Sequence, residues 1–318
     1  MVKRLLDCTG SDFEKMSAAD LKESIRMSEG RTLMAQSFNG SGMSLADSAT
    51  NPELEAAFGA DMLMLNGYSL DEKSPLYGIR TYNLRKSGFD VMLANELKRL
   101  VRRPVGIYLE CVPLDRATPY GSSEFFLGRI ATEENFHKCI EQGADFIVLG
   151  ANPGNGAKLD DILAATYACA KAVKGKAMIF SGKWEDGVDE KVLGDPLATI
   201  PAKTFIDKLM DAGSDVINFP CPGSRQGITV DMIRELVEYV HMKDKNTMTM
   251  SFLDGSVEGT DVDTIRILAI ESRETGADIH TLGDAGLCGC ALPENIYQMS
   301  LCLKGRRLTY RRLATNNR

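Results

Sequence analysis

The chain has no CxxC pair among its eight cysteines, three histidines, one tryptophan, and no apolar run near the length of a membrane span. Each shortage removes a class. Without paired thiols, neither a disulfide framework nor a zinc ribbon is spelled out. The opening MVKRLLDCTGSDFEKM has no apolar signal-peptide core, so a cytoplasmic protein with reduced thiols is expected. A span needs roughly 20 apolar residues, so no membrane partner is expected. Basic residues are also short: 37 Lys and Arg against 44 Asp and Glu give a formal net charge of -7. That balance argues against nucleic acid as a partner and in favour of a small molecule. No P-loop or GxGxxG is present. No linker rich in Pro, Gly or Ser divides the 318 residues, so 1–318 reads as one domain.

What is present is a repeated joint. Gly59-Ala60-Asp61, Gly143-Ala144-Asp145, Gly213-Ser214-Asp215 and Gly276-Ala277-Asp278 each run straight into apolar residues. Glycine takes the left-handed conformation that ends a helix, and the polar step turns the chain into a buried strand. Short apolar or β-branched runs then predict eight strands at 32–38, 62–66, 105–111, 146–150, 177–181, 216–219, 248–253 and 279–282. The joints precede the even strands, whereas the third, fifth and seventh follow basic segments such as Arg102-Arg103-Pro104. Eight βα units with an odd/even distinction predict a single-domain (β/α)8 TIM barrel rather than an open doubly wound sheet. An N-terminal helical extension (1–30, with a helix over 17–28) and a basic C-terminal tail (303–318) flank it. The tail reads either as an anion-binding run or, preferably, as a segment packed on the barrel or on a second copy. A homo-oligomer is expected. The insert over 69–85 and the loop over 113–130 are long.

In such a barrel chemistry sits at the C-terminal ends of the strands. Those positions hold Gln36, Asn39, Asn66, Glu110, Asn152, Lys183, Asn218, Asp254 and Ser256, and His280 with Asp284. Three following loops are glycine-rich, including Gly283-Asp284-Ala285-Gly286. Their backbone N–H groups suit an anion. Phosphate is therefore expected at Gly255, Ser256, Gly283 and Gly286, with Asn66, Asn152, Asn218 and Arg225 as further binding groups. Glu110, Asp254 and His280 are candidate proton carriers. Lys183 is a candidate to condense with or polarise a carbonyl. Alternatively, Glu110, Asp254 and Asp284 gather around Mg²⁺. Each of these groups could instead cap a helix or tie a loop. Cys111 and Cys221 read as apolar fillers, and the aspartates of the repeated joints belong to the stability end of the barrel.

From 91 to 221, Arg103-Pro104-Val105-Gly106, Gly143-Ala144-Asp145-Phe146-Ile147 and the Lys183 segment resemble the BtpA family, which is similar to ribulose-phosphate-binding barrels. That resemblance implies a barrel with an assembly role. The whole chain, through LLDCTGSDF, GDAG and GRRLTYRRLA, resembles an uncharacterised bacterial barrel family that often carries a haloacid-dehalogenase-like hydrolase label. Phe252-Leu253-Asp254-Gly255-Ser256 is similar to the DxDG[ST] motif behind such a label, but its nucleophile position holds Phe252, which cannot attack phosphorus. The functional expectation is a lyase or isomerase, aldolase-like, acting on a small anionic, phosphorylated carbonyl compound. The alternatives are an Mg²⁺-dependent hydrolase or C–C lyase and a non-catalytic regulatory barrel.

Overall fold

The computed structural model describes residues 2–41, 43–74, 77–80, 89–91, 96–116, 127–185 and 190–315. Asp186 and parts of both long loops lie outside them. Eight parallel strands, β1 (Thr32–Phe38), β2 (Met62–Asn66), β3 (Val105–Glu110), β4 (Phe146–Gly150), β5 (Met178–Gly182), β6 (Val216–Pro220), β7 (Met248–Leu253) and β8 (Ile279–Leu282), close into a barrel. Each pairs with its sequence neighbours, and β8 closes on β1. The expected barrel is what forms. A two-stranded antiparallel ribbon, Ile79–Arg80 with Phe89–Val91, lies in the insert.

Alternation along the strands separates two cores. Met34, Met64, Phe146, Phe180, Met250 and Phe252 point inward, while Leu33, Leu63, Ile147 and Ile179 face the helices. Methionine is prominent inside, where an unbranched side chain fills an irregular, tapering space. Leu5, Cys8, Phe13, Leu21 and Ile25 join the inner cluster, so the N-terminal extension stoppers the amino-terminal end of the barrel. The expected helix over 17–28 forms at Ala18–Arg26, started by a Ser17 capping box.

The four joint glycines all have positive φ: 116° at Gly59, 76° at Gly143, 99° at Gly213 and 79° at Gly276. The aspartates then do one job four times. Asp61 accepts from Leu33 N at 2.9 Å, Asp145 from Val105 N at 2.8 Å, Asp215 from Ile179 N at 3.0 Å and Asp278 from Thr249 N at 2.8 Å. Each joint before an even strand thus ties the start of the odd strand before it. The other carboxylate oxygen takes a cation: Lys98 on Asp145, Lys22 on Asp215 and Arg312 on Asp61, whose Leu33-bound oxygen also accepts from Lys304 at 2.7 Å. His241 lies 2.8 Å from the Asp278 oxygen that ties Thr249. The basic tail supplies two of these partners: it continues a helix over Pro293–Ala314, interrupted at Gly305, and buries Lys304 and Arg312 against the barrel.

Candidate functional site

Inward-pointing residues at the carboxyl ends of the strands form the mouth. Gln36, Asn66, Glu110, Asn152 and Asp284 make one hydrogen-bonded chain. Gln36 and Asn66 both donate to Asp284 Oδ2, the latter at 3.0 Å. Asn66 and Asn152 exchange bonds at 3.2 and 3.4 Å. Asn152 reaches Glu110 through its backbone N–H at 3.0 Å and through its amide. Asn155 also donates to Glu110, and Arg129 stands 3.5 Å from it. Across the mouth, Arg225 holds Asp254 at 2.8 Å, Glu185 at 3.5 Å and the Trp184 carbonyl at 3.1 Å.

The floor is aromatic. Trp184 stacks on Phe252 at 4.8 Å and meets the Tyr108 edge at 5.9 Å. Gly150 lets this pair in, since a Cβ there would come 2.9 Å from Trp184 Cζ3. Phe252, at the nucleophile position of the phosphatase-like motif, is therefore a packing residue, and the haloacid-dehalogenase label finds no support.

Low solvation governs the carboxyl groups. Burial pushes Asp254 up to about 8 against the pull of Arg225, with Glu258 and Asp284 pushing the same way. Burial raises Glu258 to about 7, helped by Asp284. It also raises Glu185, Glu110 and Asp284, although Arg129 opposes it at Glu110 and the Gln36 and Asn66 amides oppose it at Asp284. Asp254 therefore keeps its proton at neutral pH, and the other carboxyl groups are shifted in the same direction.

Several buried polar atoms here have no partner among the described residues: both amide atoms of Asn218, Tyr108 Oη, Trp184 Nε1 and Glu258 Oε2. The Trp184 indole faces Asp254 without making a regular hydrogen bond. Native interiors satisfy most such groups, so this cluster asks for water or a ligand.

The structure moves one expected residue out of the site and bears on two further expectations. His280 leaves the site: on a strand where Ile279 faces inward, it faces the helices, bonded to Ser272 Oγ at 2.8 Å and to Gly30 O at 3.0 Å. Burial holds it near 4, hence neutral. The phosphate cradle at Gly255, Ser256, Gly283 and Gly286 is lined with the wrong charge. Glu258 Oε1 takes the Ala285 N–H at 3.3 Å, a Cβ on Gly283 would lie 2.8 Å from that same oxygen, and Arg225 is spent on carboxylates. Of the Mg²⁺ set, Glu110, Asp254 and Asp284 each sit on different amide or guanidinium partners, and among the described residues no group of three His, Cys, Asp or Glu side chains could hold a metal ion. Lys183 is buried just past β5, on the parity of Ile179 and Ser181 rather than that of Phe180 and Trp184. Burial raises the Cys111 thiol and takes Cys221 to about 12, which suits fillers rather than nucleophiles.

Sequence reasoning missed Tyr108, Arg129, Asn155 and Glu258. Tyr108 was reachable by counting back two from Glu110 on the same strand face; Arg129 and Asn155 come from loops and Glu258 from a single 3-10 turn, Val257–Gly259, where no such periodicity applies.

A family model matches residues 6–318. The chain belongs to the family described as domain of unknown function DUF7916. No curated protein matches this DUF7916 chain in sequence. Among solved structures, the carboxyl transferase domain of Rhizobium etli pyruvate carboxylase is similar at a TM-score of 0.50 and 10% identity, covering 95% of this chain and 51% of that one. A 2,3-dimethylmalate lyase, described as a PEP mutase/isocitrate lyase superfamily member, aligns at 0.47 and 11% over 83% and 80% of the two chains. Thiamine phosphate pyrophosphorylase from Pyrococcus furiosus aligns at 0.43 and 11% over 90% and 99%. At such identities the first of these likenesses speaks to the fold alone. Among the described residues no helix is long and apolar enough to cross a membrane.

Proposed function

We propose that the barrel mouth is the active site of a lyase or isomerase that moves a proton on a small polar carbonyl compound. The observation that carries this reading is the juxtaposition of buried, unpartnered donors and acceptors on Asn218, Tyr108 and Trp184 with an Asp254 whose pKa lies near 8. A general acid/base works best with a pKa near the operating pH. Asp254 is assigned that role, and Arg225 positions it. The Tyr108 hydroxyl and the Trp184 indole N–H are the donors available to a carbonyl oxygen on which charge develops. Asn218, Asn66 and Asn152 orient hydroxyl or carboxylate groups, and Arg129 is the cation on the Glu110 side.

The crowd of carboxyl groups around the last two loops favours an unphosphorylated substrate in this mouth. The parity of Lys183 favours acid–base chemistry over a Schiff base, so borohydride is expected to trap no adduct. A chelator is expected to leave activity intact, in contrast to the Mg²⁺-dependent reading. A regulatory, BtpA-like role would leave the orphaned polar atoms without purpose.

The test is solvent exchange. The protein is incubated in D₂O with a panel of 2-oxo acids and ketoses, and NMR follows exchange at the carbon beside the carbonyl. Exchange of at least one compound by the wild type, slowed about 100-fold or more in Asp254→Asn, is expected. Equal rates in the two proteins would overturn the assignment.

A further inference from the structure

The basic groups expected around a phosphate are found at the opposite end of the molecule. We propose that a second ligand site, for a phosphate monoester, lies beneath the barrel between the N-terminal segment and residues 98–103. A cavity of about 540 Å³ opens there, lined by Phe13, Glu14, Lys98, Arg99, Arg102 and Arg103, within the size range of small-molecule sites.

Its charge is one-sided. Lys98 is committed to Asp145 at 2.8 Å and to the Gly143 carbonyl at 3.0 Å. The Arg99, Arg102 and Arg103 guanidinium groups also line the wall, and among the described residues Glu14 is the acid lining it, 3.8 Å from Arg102 Nη2. Arg103 is fixed rather than free to swing away: its Nε donates to Ala60 O at 3.2 Å and its Nη1 to Arg102 O at 2.8 Å. Burial, with Arg312 close by, lowers Arg103 to about 9, as expected where positive charge is crowded and poorly solvated.

Arg102 supplies the pointer to a ligand. Its backbone is left-handed, with φ 52° and ψ 44°, a conformation that a side chain makes less favourable and a glycine would not. Its Nε is buried and has no partner among the described residues. Leaving such a donor unmet is costly, and an oxyanion answers it with a charge-assisted bond. Several guanidinium groups lining one cavity suit the several oxygens of a phosphate better than a single carboxylate. Phe13 offers an apolar wall for the esterified group. The residues concerned precede β3 or belong to the N-terminal stopper, so the ligand touches none of the mouth residues and would act as an effector or stabiliser.

The test is thermal unfolding of the full chain with phenyl phosphate, inorganic phosphate or benzoate, at ionic strength held constant with NaCl. Phenyl phosphate is expected to give a saturable rise in Tm, inorganic phosphate a weaker one, and benzoate none beyond the salt control. Arg102→Gly is expected to keep or raise the unliganded Tm, because glycine fits the left-handed backbone, while weakening phenyl phosphate at least tenfold. Arg99→Gln, an exposed substitution, is expected to weaken it as well. Asn218→Val, in the mouth, is expected to leave the affinity unchanged, which separates this site from the proposed active site. The absence of a saturable response in the wild type would overturn the proposal. So would wild-type affinity in Arg102→Gly and Arg99→Gln, a stronger response to benzoate, or loss of the response in Asn218→Val.

Discussion

The two ends of the barrel use carboxylates in opposite ways. At the amino-terminal end, Asp61, Asp145, Asp215 and Asp278 each accept a backbone N–H and meet a basic partner. At the mouth, Glu110, Glu185, Asp254, Glu258 and Asp284 crowd one another, and Arg225 and Arg129 only partly offset them. At Asp61 burial works to raise the pKa, but Lys304 and Arg312 overcome it and hold the group below its usual range. At Asp254 burial wins over Arg225. The same side-chain chemistry is closed at one end and left open at the other, and openness is what a substrate needs.

The largest way to break the comparison is Asp61→Asn. It leaves Lys304 and Arg312, 0% and 2% exposed, without their carboxylate. Removing one partner of a buried pair costs about 3–5 kcal/mol, which denaturant unfolding would read directly. Asp215→Asn, whose partners are roughly a quarter exposed, is expected to cost at most about 1 kcal/mol. Equal costs at the two positions would remove the distinction between a buried and a half-solvated joint.

The mouth should respond in the other sense. Asn218→Val replaces an amide that has no partner among the described residues with an apolar group of similar size. Stability is expected to stay within about 1 kcal/mol of wild type, while turnover or ligand binding is lost. A large loss of stability would show that Asn218 is structural.

A smaller effect lies in the pH dependence. Asp254 has a pKa raised from 3.8 to about 8, so between those values the folded protein holds a proton that the unfolded chain has released. Its contribution makes stability fall as pH rises through this window. Asp254→Asn should flatten that part of the profile. The smallest effect is at His241. Its bond to Asp278 raises its pKa above 6.5, so its stabilisation is full below about pH 6.5 and fades as pH rises through the raised value. With His241 about one-third exposed, less than about 1 kcal/mol is expected, and comparison of wild type with His241→Gln across pH 6 to 9 would isolate it.

The fold was legible because the signals that build it are local. A glycine that must turn left and an apolar run that must be buried can be read without neighbours, and the strand bounds differ from expectation by about one residue, as at β3, which stops at Glu110 before Cys111. The strand-end positions Asn66, Glu110, Asn152, Asn218 and Asp254 were legible for the same reason. What was hidden depends on facing and on closure. His280 fell one residue off the inward parity, and the glycine-rich loops after β7 and β8 concealed that Glu258, from a neighbouring turn, fills the place of an anion. The basic tail gave its composition but not its partner, because Asp61 lies more than 240 residues away along the chain.

The central claim is that burial wins at Asp254 in the mouth and raises its pKa, while at Asp61 at the amino-terminal end the two cations win and lower it. Carbon-13 NMR titration of the side-chain carboxyl groups, with Asp61→Asn and Asp254→Asn as assignment controls, tests it directly. The account predicts that Asp254 titrates near pH 8 and that Asp61 titrates below the usual aspartate range. Titration of Asp254 near pH 4 would contradict it.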